Sequence, residues 1–160
     1  MNLGAESSKG EILLFLHADT VLPISYRTAM EQLLSLPRIA VGAFRLKIDS
    51  PATTYRIIEK AVNLRSLKLG LPYGDQALFI RRETFNSIGG YPNLPIMEDF
   101  EFIRRLRKIG EVGISNENVL TSARRWERLG PWRTTLLNQL LIIAYRVGVA
   151  PEKLARIYYR

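Results

Sequence analysis

"GEILLFLHADT", residues 10 to 20, is the stretch on which the reading of the chain turns. Ile12 to Leu16 is continuously apolar, the composition of a central strand covered on both faces, and it runs directly into His17, Ala18 and Asp19. In an extended chain residues i and i+2 point the same way, so the imidazole and the carboxylate would share one face at the strand's C-terminal end. Ligands of open α/β sheets sit at that edge. A carboxylate there is a hard oxygen ligand suited to Mg²⁺ or Mn²⁺, and such an ion would in turn hold phosphate oxygens. The same letters also read as a turn, with Asp19 shaping the approach to Thr20 and Pro23 and His17 a packing residue.

Working outward, the pattern predicts alternating strands and helices. Pro23 opens a helical run with Tyr26, Ala29, Met30, Leu33 and Leu36 at helix spacing, stopped by Pro37. Ile39 to Ile48 alternates as a strand. Ser50-Pro51 reads as a helix start, and that helix should reach Leu69 before Gly70 and Pro72. Residues 77–82, "ALFIRR", are strand-like, and Glu83 to Ile88 is a short helix closed by Gly89-Gly90. "EDFEFIRRLRKIG" (98–110) has acids first, bases last, a terminal Gly110, and Phe102, Leu106 and Ile109 on one face. Val112–Ser115 and Val119–Ser122 suggest two short strands, Leu129–Gly148 a long helix, and Pro151 onward another. With no repeat and no Gly/Ser linker, residues 1–160 read as a single α/β domain in which 129–160 form a helical C-terminal extension.

Composition narrows the chemistry. A chain of 160 residues with 47% hydrophobic residues can build a real core. The absence of cysteine excludes disulfides and thiolate metal sites, and a reducing cytoplasm is the expected setting. Met1 to Glu11 is polar and mixed in charge, unlike a signal peptide, and no run of about 20 apolar residues offers a bilayer span. A net charge of +8 favours an anionic partner: a nucleotide, a phospholipid head group or a nucleic acid. The arginines are spread over several elements without interleaved aromatics on one face, which argues against nucleic acid.

Three further stretches carry chemistry. Glu98 and Asp99 fall in a first helical turn, where backbone N–H groups and the helix dipole favour ionised carboxylates. An oriented carboxylate of that kind can serve as general base toward a hydroxyl, or simply cap the helix beside a Glu101–Arg105 surface pair. Gly89-Gly90-Tyr91-Pro92 forms a permissive loop that brings an aromatic residue near these acids, either to line a site or to plug the core. Asp75 follows Gly74 in a turn leading into a strand, placed to bind substrate or to shape an Asx-turn. "SARRWERLG" (122–130) sets Arg124 and Arg125 beside Trp126. Guanidinium forks match diphosphate oxygens and the indole can stack on a sugar or base, while a solvated basic turn fits the same letters. Residues 132–148 are apolar on most sides, interrupted by Asn138, Gln139 and Arg146, which suits packing on the domain or contact with a membrane surface.

Taken in order, "GEILLFLHADT", "GDQALFIRRETFNSIGGYPNLPIMEDFEFIRRLRKIG" (74–110) and "SARRWERLGPWRTTLLNQ" (122–139) resemble family 2 glycosyltransferases of the GT-A fold. Within that family they look most like small bacterial transferases named for association with radical-SAM and selenium-domain genes, a group linked to arsenosugar biosynthesis. The resemblance spans nearly the whole chain, and Gly-Gly-Tyr, six residues, then Glu-Asp before a Phe/Arg helix is its specific part. It implies an incomplete GT-A, Rossmann-like mixed sheet flanked by helices. It also implies an inverting transfer of a sugar from a nucleotide-diphospho-sugar to an acceptor hydroxyl, assisted by Mg²⁺ or Mn²⁺.

Carried over by position, the family's Asp-x-Asp motif falls on His17-Ala18-Asp19, which makes Asp19 the metal ligand and His17 a nucleotide-sugar contact. Asp99 takes the place of the catalytic base. Asp75, Arg124 and Arg125 fall on the donor side, and Gly90, Tyr91, Glu98 and Trp126 on the acceptor side. Ser122 stands where processive members have Gln, so processivity is not implied. Family members begin with a strand, a Pro-x-x-Asn-Glu loop and further βα units that bind the base; here Met1-Asn2-Leu3-Gly4-Ala5 matches a segment just before the metal strand. The expectation is a C-terminal two-thirds of a GT-A domain, cytoplasmic, with contact to the inner membrane face through its C-terminal helices. A nucleotidyltransferase of similar layout, and a basic module binding membrane or nucleic acid, are the rival readings.

Overall fold

The alternating run at Ile39 forms β3 (Ile39–Asp49), and it lies at the centre of one five-stranded sheet. The computed structural model describes residues 1–159. The sheet runs in the order β1 (Ile12–Phe15), β4 (Leu78–Arg81), β3, β5 (Glu111–Ser122), β2 (Thr20–Val21). Only the β3–β5 pair is parallel; β1–β4, β4–β3 and β5–β2 are antiparallel, so the sheet is mixed, as expected.

Helices cover both faces, which is why these strands are apolar at successive positions rather than at alternate ones. On one face Leu13, Phe15, Ala43, Leu78 and Ile80 pack with Phe102, Ile103 and Leu106 of α5 (Glu98–Leu106). On the other, Phe44, Leu46, Ile48 and Phe79 meet α2 (Tyr26–Leu34) through Met30 and Leu34, and α3 (Thr53–Leu69) through Tyr55 and Ile58. Gly42 is the most tightly enclosed glycine of this core. A Cβ there would stand 2.1 Å from the Phe79 ring on the neighbouring strand.

Several expectations need correction. The apolar stretch after Gly10 is covered on both faces but is not central: β1 is hydrogen-bonded to β4 alone and forms the sheet's edge. The two short strands expected at Val112 and Val119 are one strand, β5. Between the pairs Ala43–Ile114 and Arg45–Asn118, β3 advances two residues while β5 advances four, so Ser-Asn-Glu makes a bulge rather than a turn. The helix expected over Leu129–Gly148 is α7 (Pro131–Arg146), which Pro131 opens as its first residue, and an unexpected short helix, α6 (Arg124–Leu129), precedes it, separated by Gly130 at φ +86°. Ile109 lies beyond α5 and is exposed, and Ile103 takes its place on the buried face.

Glu101, too, is buried rather than at the surface. Both its oxygens accept from Arg104 at 2.8 Å, while Arg105 stands off at 3.6 Å. The polar N-terminus folds as α1 (Asn2–Ser7), fixed by Asn2: its Nδ2 donates to Tyr91 O at 2.9 Å, and its Oδ1 accepts from Tyr91 N at 3.0 Å. The remaining helices are α4 (Arg82–Ser87) and α8 (Pro151–Tyr158). Among the described residues no helix is long and apolar enough to cross a membrane.

Candidate active site

A cavity of about 400 Å³ opens between the β1–β2 connection, the turn before β4, the start of α5 and the C-terminal helices. His17, Asp19, Asp75, Glu98, Asp99, Arg125 and Trp126 all line it. Seven residues proposed from four separate stretches therefore converge on one place.

The β1 strand stops at Phe15, and His17 to Thr20 is a turn closed by Thr20 N–H donating to His17 O at 3.1 Å. The shared-face argument from strand spacing therefore does not apply. The turn and β2 position these side chains instead: Ser122 N–H donates to Asp19 O at 3.1 Å, and the buried Thr20 and Thr121 hydroxyls are bonded at 3.1 Å. This leaves the Asp19 side chain exposed at the rim and His17 half-buried inside it.

The opposite wall is the Gly74–Gln76 turn, one winding of 3-10 helix. Its anchor is Gln76, which is fully buried. Its Nε2 donates to Phe44 O at 2.9 Å and its Oε1 accepts from Ser66 Oγ at 2.6 Å. Arg65 braces the same turn, donating to Leu71 O at 3.0 Å and lying 3.8 Å over the Tyr73 ring. The turn brings Gly74 N–H to Asp99, which accepts it on Oδ2 at 2.9 Å. No side chain fits at Gly74: a Cβ would stand 2.3 Å from Asp99 Oδ2 and 2.7 Å from His17 Nε2. Imidazole, glycine and carboxylate thus meet edge to edge, and that contact is the heart of the site.

Electrostatics follow from this crowding. Burial, then the neighbouring Glu98 charge, raise the Asp99 carboxyl from 3.8 to about 6, against the lowering pull of His17 and the Gly74 N–H. Asp75 is also raised, chiefly by burial and opposed by Arg65 and His17. Asp75 Oδ1 and Asp99 Oδ1 are both sealed from solvent without a hydrogen-bond partner. Unsatisfied buried carboxylate oxygens at the wall of a cavity are costly unless they serve a ligand or a proton.

Backbone strain is found at the same turns. Ala77 (φ 49°) and Met97 (φ 68°) are the two non-glycine residues in the left-handed region among those described. Ala77 directly follows the turn that carries Asp75, and Met97 directly precedes Glu98 and Asp99. Strain of this kind persists where surrounding packing enforces it, and it gathers at functional sites.

Three proposed residues lie elsewhere. Tyr91 is a core residue, stacked on Phe102 at 4.0 Å and edge-on to Phe15 at 4.9 Å, and burial pushes its phenol up. Gly89 and Gly90 do take positive φ, as the loop requires, but they turn the aromatic ring inward. Gly90 serves packing, since a Cβ there would meet Asn2 Oδ1 at 2.9 Å and Phe85 at 3.0 Å. Arg124 is exposed and donates to Ser122 Oγ at 3.1 Å. One helical step separates it from Arg125, which does face the cavity.

The C-terminal helices add lining that the motifs did not name. Arg125 lies 4.0 Å over the Tyr158 ring and donates to its hydroxyl, while its Nε is buried without a partner. Thr134 and Asn138 of α7, Tyr73, and Tyr159 complete the wall. Asn138 Oδ1 is a further buried acceptor without a partner. Its signal was present in the sequence, as an amide interrupting an otherwise apolar helix.

Among the described residues no group of three or more His, Asp or Glu side chains is close enough to hold a metal ion alone. The donors on hand are the exposed Asp19 carboxylate and the half-buried His17, while Asp75 Oδ1 is unpartnered but sealed from solvent. That supply fits Mg²⁺ or Mn²⁺ of the kind completed by substrate phosphates and water, and does not fit a closed structural site. No protein-family model matches the chain, and comparison with curated proteins gives no match.

Proposed function

We propose that the protein is a metal-assisted, inverting glycosyltransferase acting on a nucleotide-diphospho-sugar, with Asp99 as general base. The observation that supports this best is the Asp99 carboxyl itself. One oxygen is pinned by Gly74 N–H, the other is buried without a hydrogen-bond partner beside the cavity, and burial raises the carboxyl to about 6. A base of that strength is mostly ionised near neutrality yet still takes a proton readily.

In this reading the acceptor hydroxyl enters the cavity beside Asp99 and gives up its proton to that carboxylate as its oxygen attacks the anomeric carbon. The new C–O bond forms as the bond to the diphosphate oxygen breaks, and the electron pair leaves with the diphosphate. Gly74 N–H keeps Asp99 from turning away, and His17 tempers the charge that Asp99 and Asp75 place side by side. Asp19 would hold a divalent ion whose charge offsets that of the leaving group. Arg125 lies along the same wall for the phosphates, and Trp126 offers a face to a sugar or base.

Calorimetric titration of UDP, GDP, ADP, CDP and dTDP with and without Mn²⁺ tests the donor half. At least one should bind only with Mn²⁺, and Asp19→Asn should abolish that dependence. His17→Asn should weaken it less, since imidazole is the poorer partner for a hard ion. Binding that ignores both Mn²⁺ and Asp19 would overturn the assignment. Turnover of a nucleoside triphosphate in place of a nucleotide sugar would move the protein to the nucleotidyltransferases.

A further inference from the structure

The outer face of α7 is organised in a way that the cavity does not explain. Trp132, Leu136, Leu140 and Ile143, with Val147 just past the helix end, are each more than half exposed. At the 100° step of an α-helix these five positions fall within about 80° of one another, a continuous apolar stripe. The opposite face is spoken for, with Thr134, Leu141 and Ile142 buried and Asn138 lining the cavity. The helix is therefore apolar on two sides, and only one of them is covered.

The charge beside the stripe indicates what covers the other. From Arg124 to Tyr159 there are seven basic and two acidic residues, so this segment holds five of the chain's eight net positive charges. Arg128, Arg133, Lys153 and Arg156 are exposed and form no ion pair among the described residues. Arg133 follows Trp132 directly and lies about 20° outside the stripe. A second copy of the chain would oppose like charges across a two-fold axis. A nucleic acid would find aliphatic side chains where it needs phosphate contacts. An anionic lipid surface satisfies both features, because aliphatic residues and an interfacial Trp enter the acyl boundary while Arg and Lys reach the head groups.

We propose that α7, with the basic residues of α6 and α8, docks the protein in the plane of an anionic phospholipid surface. The contact is peripheral, since the stripe is one side of a 16-residue helix. It would hold the cavity about one helix diameter, roughly 10 Å, from the head groups. This inference stands independently of the glycosyltransferase reading.

The test is co-sedimentation of the full chain with vesicles of phosphatidylcholine alone and of phosphatidylcholine with phosphatidylglycerol, at low and high salt. Binding is expected only to the anionic vesicles, weakening as salt rises. The Leu136→Glu/Ile143→Glu double variant should bind about tenfold more weakly or worse, with an unchanged melting temperature because both positions are exposed. Arg133→Glu, which leaves the stripe intact, should reduce binding and its salt dependence together. No partition into anionic vesicles would overturn the proposal. So would anionic binding that the double variant leaves untouched, or preferential capture by duplex DNA. A wild-type dimer in sedimentation velocity that the double variant dissociates would assign the stripe to a second copy instead.

Discussion

Asp99→Asn separates the catalytic reading from a capping role through stability alone. In the folded protein the Asp99 carboxyl is raised from 3.8 to about 6, which amounts to about 3 kcal/mol of preference for the protonated form. A raised carboxyl contributes stability that is present in full below about pH 4 and is lost as pH climbs through about 6. At neutral pH the wild-type protein therefore carries a buried charge that the amide does not. Asparagine still accepts from Gly74 N–H as a neutral group, and the pull of that N–H on the charged form is already contained in the value of about 6. The expectation is a gain of about 2–3 kcal/mol at pH 7.5, or a melting temperature higher by about 4–12 °C, shrinking toward zero near pH 4. Thermal unfolding of both proteins across that range measures it. Helix capping forecasts the reverse sign, a loss of up to about 1 kcal/mol at neutral pH. An amide variant no more stable than wild type at pH 7.5, or a gap that does not change with pH, would refute the assigned electrostatics. Transfer activity, where measured, should fall by about 10²–10⁴ in kcat with little change in donor affinity.

Three other substitutions probe the frame around that carboxylate. Gly74→Ala drives a methyl into Asp99 and His17, and should abolish Mn²⁺-dependent nucleotide binding in calorimetry while circular dichroism shows the fold retained. Gln76→Ala strips the turn of its buried bonds to Phe44 and Ser66, and should cost about 2–4 kcal/mol in urea unfolding. Tyr91→Phe removes a buried hydroxyl that has no partner, so stability should hold or rise by up to about 1 kcal/mol with nucleotide binding unchanged; impaired acceptor use would return Tyr91 to the site.

What the sequence disclosed follows the range of the forces involved. α5 was legible because burial imposes a helical period on it, β3 because it is a long run of mostly apolar residues, and α3 ended where Gly70 takes its left-handed cap. The bulge in β5 was hidden, since Ser115, Asn116 and Glu117 carry turn chemistry, and only pairing to β3 shows the strand continuing past them. The α1 helix depends on the clasp between Asn2 and Tyr91, 89 residues apart, which no local pattern records. The acids of the cavity were readable from their positions at element ends. The glycine pair before Tyr91 announced backbone freedom but not direction, so the letters allowed the ring to line a site or to plug the core, and packing against Phe102 chose the core. Tyr158 reaches Arg125 from 33 residues away, and Gln76 acts from behind the turn, so both are products of tertiary packing.

Ala77 bears on how this protein would respond to selection. A non-glycine residue held at φ 49° carries about 1 kcal/mol of strain that glycine would not, but the Ala77 methyl is fully buried in the core and glycine would add chain entropy to the unfolded state. These effects are of similar size, so Ala77→Gly is expected to leave heat tolerance nearly unchanged. What it would alter is stiffness, because the hinge so introduced lies immediately behind Asp75, and a variant of equal endurance should show a looser grip on ligand.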